Sequence, residues 1–142
     1  MARSEARSFA IDAINRAVKG VGGLTALHIC FGYAHVHKGA AKPGGYAFLE
    51  ELEASDVDII SIEAAQPNLD PSILRELPSK YIMYGVIDLN DPGVETAETV
   101  AARIRKALPF IDAERLIIAP DCGMKYQSRE VAFGDRKSTR LN

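Results

Sequence analysis

Four short apolar runs, separated by segments with helix signals, constrain the fold of this chain more than any other feature. The runs cover residues 24–31, 57–62, 81–87 and 116–119. Short apolar runs bounded by turn residues are typical of buried strands. Strands that alternate with helices pair in parallel through right-handed crossovers. The sequence therefore predicts an α/β protein of about four βα units.

Helix signals lie between the predicted strands. Asp70 followed by Pro71 is an N-cap acceptor with proline at the first helical position, and Thr96 can cap a helix that extends to Leu108. A complete (β/α)8 barrel has eight such units and about 250 residues. A chain of 142 residues with about four units predicts half of such a barrel.

The end of the chain lacks this pattern. After Phe133 the sequence continues G-D-R-K-S-T-R-L-N, without an apolar period. We therefore expect a partial barrel domain over residues 1–134 and a tail over 135–142 that does not resemble native protein.

Charge and hydropathy exclude several classes of function. The net charge of -2 gives no basic field for binding nucleic acid. The N-terminus lacks the apolar core of a secretory signal, and no run reaches the roughly 18 apolar residues of a membrane span. These observations favour a soluble, cytoplasmic protein with small-molecule substrates and no nucleic-acid or membrane partner. In that compartment the two cysteines are expected as free thiols or metal ligands.

Four residues at the ends of these runs form a candidate metal site: His28, Cys30, Glu63 and Cys122. Side chains at positions i and i+2 of a strand point to the same side, so His28 and Cys30 can reach one ion. Each residue also has a simpler explanation, because a core histidine or cysteine, a carboxylate in a salt bridge and a D-C-G turn are all common. Together, the nitrogen, sulfur and oxygen donors favour Zn²⁺.

Other polar residues are weaker candidates. His35 and His37 lie in a loop with lysines, which favours solvated side chains. Asp88 ends a predicted strand and either orients a substrate or caps the next turn. Asp121 precedes Cys122 and is a candidate for orienting a metal ligand.

Several strings resemble, in order, the C-terminal catalytic barrel of cobalamin-independent methionine synthase and its shorter single-barrel relatives. They are L-H-I-C-F-G, D-I-I-S-I-E-A-A, G-V-I-D-L, V-E-T-A-E-T-V-A-A-R-I and E-R-L-I-I-A-P-D-C-G-M-K-Y. The resemblance implies the C-terminal half of a (β/α)8 barrel, with zinc bound by His28, Cys30, Glu63 and Cys122. It also implies methyl transfer from methyltetrahydrofolate to the thiol of homocysteine, with no catalytic group beyond the zinc site.

Two departures from the family pattern leave alternatives open. Asn90 stands where the full-length enzymes have a histidine, and the segment between Cys30 and Glu63 is longer than theirs. Asp88 and Asn90 are accordingly expected to contact substrate. The alternatives are a related zinc-thiolate alkyltransferase with another methyl donor or thiol acceptor, or an inactive truncated fragment.

Overall fold

The computed structural model describes residues 2–32 and 44–139, with side chains for residues 9–32 and 44–139. The predicted solvated loop that contains His35 and His37 lies outside the described residues. Within them, no helix has both the length and the apolar character required to cross a membrane.

In the described part of the chain, four parallel strands form one sheet. They are β1 (Ala26–Ile29), β2 (Ile59–Ile62), β3 (Tyr81–Ile87) and β4 (Leu116–Pro120), and they pair in the order β1-β2-β3-β4. In the register of the first three strands His28 lies opposite Ser61 and Ser61 opposite Met83. Because each strand pairs with the next one along the chain, the sheet has the strand order of consecutive barrel units. The predicted parallel α/β architecture is confirmed.

Helical segments connect the strands. The α-helices are α1 (Ala2–Val18), α2 (Leu49–Leu52), α3 (Ala97–Ala107) and α4 (Arg129–Ser138), and 3-10 helices cover Pro71–Glu76, Ala113–Arg115 and Met124–Tyr126. Both predicted caps are present, since the Asp70 carboxylate accepts from Ser72 N and Thr96 Oγ1 accepts from Thr99 N. The helix after Asp70 is only six residues long and ends just before Pro78, which cannot continue it.

The hydrophobic core lies on one face of the sheet. Ile60 and Ile62 of β2 and Ile82 of β3 are fully buried there, together with Leu74 and with Val100 of α3. Burying a side chain of this size contributes about 1.5–3 kcal/mol relative to leaving it exposed. Strand residues alternate between faces, so Ser61 and Met83 lie on the opposite face. That second face carries the polar side chains of the sheet.

Residues 135–138, which lie in the stretch expected to be a tail that does not resemble native protein, are helical. Helix α4 continues through Asp135 to Ser138, and Ser128 Oγ caps its start by accepting from Val131 N at 3.2 Å. The Asp135 carboxylate is buried and accepts from Glu95 N at 2.8 Å, while Ser138 Oγ donates to Glu95 O at 2.6 Å. These contacts are polar, so a search for apolar periodicity could not find them.

Candidate metal centre

The four predicted ligands come together at the carboxyl ends of three strands. His28 lies in β1, Cys30 directly follows it, Glu63 directly follows β2 and Cys122 lies two residues beyond β4. One potential ligand atom from each residue lies within 4.8 Å of the others. The parallel sheet explains this proximity, because its strands all end at the same edge.

The separations between ligand atoms suit a tetrahedral ion. Cys30 Sγ lies 3.4 Å from Glu63 Oε1 and 3.6 Å from Cys122 Sγ. In a tetrahedral zinc site with bonds of about 2.0–2.3 Å, neighbouring ligand atoms lie about 3.3–3.8 Å apart. The two separations from Cys30 are therefore in the range expected when neighbouring side chains bind one ion of this size.

The His28 ring is held by a serine that sequence reasoning did not identify. Ser61 Oγ lies 2.9 Å from His28 Nδ1. With a metal on Nε2, Nδ1 would carry the ring proton and donate a hydrogen bond to Ser61 Oγ. The sequence contained one indication of this role, since Ser61 is the polar residue of the otherwise apolar string I-I-S-I and lies two positions before Glu63. Ser61 is thus placed to fix both the orientation and the tautomer of His28.

The Glu63 carboxylate is completely buried and is directed toward the end of β1. Its Oε2 accepts from Phe31 N at 3.1 Å, and its Oε1 faces the Cys30 sulfur. A buried carboxylate is costly unless hydrogen bonds or a cation compensate it. The nearby thiols and the carboxylate make this position suited to a cation.

The Cys30 thiol has a strongly perturbed acidity. Partial desolvation, together with the neighbouring Cys122 and Glu63, raises the pKa of Cys30 to about 11, although a hydrogen bond from Gly32 N opposes the shift. That amide lies 3.1 Å from the sulfur, and Gly32 has φ of 80°, a conformation that glycine adopts readily. Without a cation the thiol is protonated at neutral pH. A bound metal would instead stabilise the thiolate.

Two further buried side chains fix the backbone around Glu63. Tyr46 Oη accepts from Glu63 N at 2.8 Å and donates to Ile29 O at 3.2 Å, which ties the ends of β1 and β2 together. Asp121 accepts three backbone N–H groups from residues 64–66. Burial raises the pKa of Asp121 to about 6, against the opposing effect of these three hydrogen bonds. Asp121 therefore binds the backbone that follows Glu63, and its predicted role in orienting a metal ligand stays a prediction.

Asp88 and Asn90 lie beyond the end of β3. The Asp88 carboxylate accepts from Asn90 N at 2.8 Å, and Asp88 N donates to Glu95 Oε2 at 3.1 Å. Asp88 therefore caps the turn that follows β3, which is one of the two roles predicted for it. Asn90 is exposed. Contact of either residue with a substrate stays a prediction.

A cleft of about 270 Å³ opens on the polar face of the sheet beside the ligands. His28 and Cys122 line it together with Ala26, Met83 and Pro120. It combines metal-ligand side chains at one end with small and apolar groups along its wall. Such a cleft can accept a small ligand that carries one polar reacting group.

Comparison with known proteins identifies the family. Residues 25–139 match the family model described as cobalamin-independent synthase, catalytic domain. The chain is 37% identical over 127 residues to a methionine synthase of Thermococcus kodakarensis, covering 89% of this chain and 34% of the relative. It is 32% identical over 126 residues to a methionine synthase of Pyrococcus furiosus, again covering 34% of the relative. The chain thus spans about a third of the length of these relatives.

A solved structure supports the same assignment. The chain resembles a B12-independent methionine synthase from Shewanella sp., determined in complex with selenomethionine, with a TM-score of 0.83 and 32% identity. The match covers 95% of this chain and 42% of that chain. This likeness confirms the predicted fold class, half of a (β/α)8 barrel. The chain belongs to the cobalamin-independent methionine synthase family, through the catalytic domain that its residues 25–139 match.

Proposed function

We propose that this chain provides the zinc centre of an enzyme that transfers a methyl group from methyltetrahydrofolate to the thiol of homocysteine, forming methionine. The observation that carries the proposal is the convergence of His28, Cys30, Glu63 and Cys122, whose ligand atoms lie within 4.8 Å of one another. Membership of the family supports the reaction class.

The donor set supports zinc over Ca²⁺ and Mg²⁺. Two cysteine sulfurs, one imidazole nitrogen and one carboxylate oxygen are ligands that Zn²⁺ takes in tetrahedral sites. Ca²⁺ and Mg²⁺ require mainly oxygen ligands and larger coordination numbers. We therefore assign zinc as the metal.

The reaction needs a thiolate at neutral pH. A free thiol has a pKa of about 8.5, and bound zinc would supply the positive charge that favours its ionised form. In the transfer, a bond forms between the substrate sulfur and the methyl carbon while the bond from that carbon to the donor nitrogen breaks. The bonding pair stays on the nitrogen, which ends with the proton that the thiol has lost.

The residues of the chain would hold and orient these components. Ser61 fixes the His28 ring and Phe31 N holds one oxygen of Glu63. The cleft beside the ligands has apolar walls at Ala26 and Met83, which suit the methylene groups of a small thiol amino acid. Binding in this cleft would place the thiol near the metal and so reduce the entropic cost of the reaction.

Cobalt substitution tests both the metal and the acceptor. The chain loaded with Co²⁺ is titrated with homocysteine, with homoserine as the matched control that lacks the thiol. We expect homocysteine alone to increase sulfur-to-cobalt charge-transfer absorption. An unchanged spectrum with homocysteine contradicts thiol binding at this site, and an equal response to unrelated thiols contradicts homocysteine as the specific acceptor.

A further inference from the structure

We infer that Gly85 and Asp121 act as a pair that sets the position of the Glu63 carboxylate. Asp121 is the positioning residue, and Gly85, which has no side chain, leaves the space that the Asp121 carboxylate occupies. Neither residue is among the four proposed metal ligands. The inference rests on the proposed metal site and explains how three strands keep that site in register.

Asp121 connects two strands that are not neighbours. It follows β4, yet its carboxylate reaches the backbone that follows β2, on the far side of β3. Oδ1 accepts from Ala64 N and Ala65 N at 2.9 Å each, and Oδ2 accepts from Gln66 N at 2.7 Å. The side chain is fully buried, so water does not compete for these bonds.

Gly85 of β3 makes this crossing possible. A Cβ added there would overlap Asp121 Oδ1, and it would lie 2.8 Å from Asp121 Cα and 3.0 Å from Ile62 O. The last two atoms belong to the backbone and cannot rotate away as a flexible side chain could. Any larger residue at position 85 must therefore displace Asp121 or separate β3 from the end of β2.

The pair controls two of the four ligands. Glu63 directly precedes the first amide that Asp121 binds, and Cys122 directly follows Asp121 in the chain. A shift of Asp121 would therefore change both the 3.4 Å contact of Glu63 with Cys30 and the 3.6 Å contact of Cys122 with Cys30. Partners that orient metal ligands typically change metal affinity by 10–100-fold when removed.

The test measures Co²⁺ and Zn²⁺ affinity of the full chain by competition with a chromophoric chelator. The variants are Gly85→Ala, Asp121→Ala and Asp121→Asn, which keeps one acceptor oxygen. Gly22→Ala is the matched glycine control, because Gly22 lies before β1 and a Cβ there would meet no atom within 4 Å. Val100→Ala is a core control, since Val100 is fully buried in α3 and belongs to the hydrophobic core.

We expect Gly85→Ala and Asp121→Ala to weaken metal binding by about 10–100-fold, with a smaller loss for Asp121→Asn. Gly22→Ala and Val100→Ala should stay within about twofold of the parent, even though Val100→Ala lowers the unfolding temperature. The cobalt d–d bands should shift in the Gly85 and Asp121 variants, because Glu63 and Cys122 would both move relative to the bound ion.

Three outcomes distinguish failure of the metal site from failure of the positioning role. If the parent chain binds neither metal, the proposed metal site is contradicted. If the parent binds metal but Asp121→Asn and Gly85→Ala bind it equally well with unchanged spectra, only the positioning role is overturned. A loss of affinity in Val100→Ala as large as that in Asp121→Asn would also overturn it, since general destabilisation would then explain both.

Discussion

Cys30 Sγ and Cys122 Sγ lie 3.6 Å apart, although 92 positions separate the two residues in the chain. One follows β1 and the other follows β4, which are the two edge strands of the sheet. The sheet must curve for its outer strands to bring their ends so close, as the sheet of a barrel does. The short distance between the two sulfurs therefore indicates a curved sheet as well as a candidate metal site.

Metal binding should protect both thiols from alkylation. Cys30 is exposed and Cys122 half-buried, so the metal-free chain should react with iodoacetamide at both positions at alkaline pH. One equivalent of Zn²⁺ should slow both reactions together, because both sulfurs bind the same ion. Mass spectrometry of the alkylated peptides checks this. Protection of one cysteine alone would contradict a shared ion.

Ser61→Ala should weaken metal binding without unfolding the chain. The variant removes the oxygen that lies 2.9 Å from His28 Nδ1, so the ring loses its preferred orientation. We expect a loss of about 10–100-fold in Zn²⁺ affinity, measured by chelator competition. The exposed Ser79 provides the matched control, and Ser79→Ala should bind as the parent does. Equal Zn²⁺ affinities of Ser61→Ala and Ser79→Ala would show that Ser61 does not support metal binding.

Acid should destabilise the chain partly through Asp58. Hydrogen bonds from the backbone and side chain of Thr25 lower the pKa of Asp58 below its ordinary value, at a position that joins the starts of β1 and β2. A carboxyl group with a lowered pKa in the folded state stabilises that state above its unfolded pKa of about 4. This contribution is lost as the pH falls through the folded value.

Urea unfolding between pH 3 and pH 7 tests this assignment. Asp58→Asn should be less stable than the parent at pH 7 and should lose less further stability below pH 4. The exposed Asp56 is the control, and Asp56→Asn should keep the pH dependence of the parent. Parallel pH profiles for Asp58→Asn and the parent would contradict the role of Thr25.

The ion pair between Arg103 and Glu95 should contribute strongly to stability. Arg103 Nη2 lies 2.6 Å from Glu95 Oε1, Nη1 also donates to Glu95 Oε2 and to Val86 O, and the Glu95 side chain is only 5% exposed. Removing Arg103 would leave a buried carboxylate unpaired, so Arg103→Met should cost about 3 kcal/mol of unfolding free energy.

An exposed ion pair on the same helix provides the comparison. Arg105 and Glu98 pair at 2.8 Å with side chains 63% and 76% exposed, and Arg105→Met should cost much less unfolding free energy than Arg103→Met, because solvent screens the exposed pair. Chemical denaturation of the two variants checks the difference. Equal costs would show that burial does not determine the strength of these pairs.

The sequence predicted the strands and brought forward the four candidate ligands through local patterns, and the structure places those four side chains together. The boundaries of β3 agree with the predicted range 81–87, since an apolar run bounded by polar residues marks both ends. β1 and β2 are shorter than their apolar runs, because pairing begins only where the neighbouring strand lies opposite. His28 and Cys30 were recognisable from their spacing, which places both side chains on one face.

Residues that act across the sheet were not predictable in the same way. Gly85 lies in an unremarkable apolar strand, and its role depends on Asp121, which is 36 positions away. Tyr46 follows a loop and contacts the backbone of Glu63 through its hydroxyl group. The buried Asp135 carboxylate accepts a hydrogen bond from Glu95 N, which lies between β3 and α3. Such contacts between side chain and distant backbone leave no periodic signal in the sequence.

Zinc content measures the central claim most directly. The purified chain and a Cys122→Ala variant are dialysed against a weak chelator and analysed for metal, with exposed Glu50→Gln as the control. We predict one zinc ion per chain in the parent and in Glu50→Gln, and its loss in Cys122→Ala, because the four ligand atoms lie within 4.8 Å of one another. A parent chain without zinc, or a Cys122→Ala variant that retains it, would contradict the metal centre.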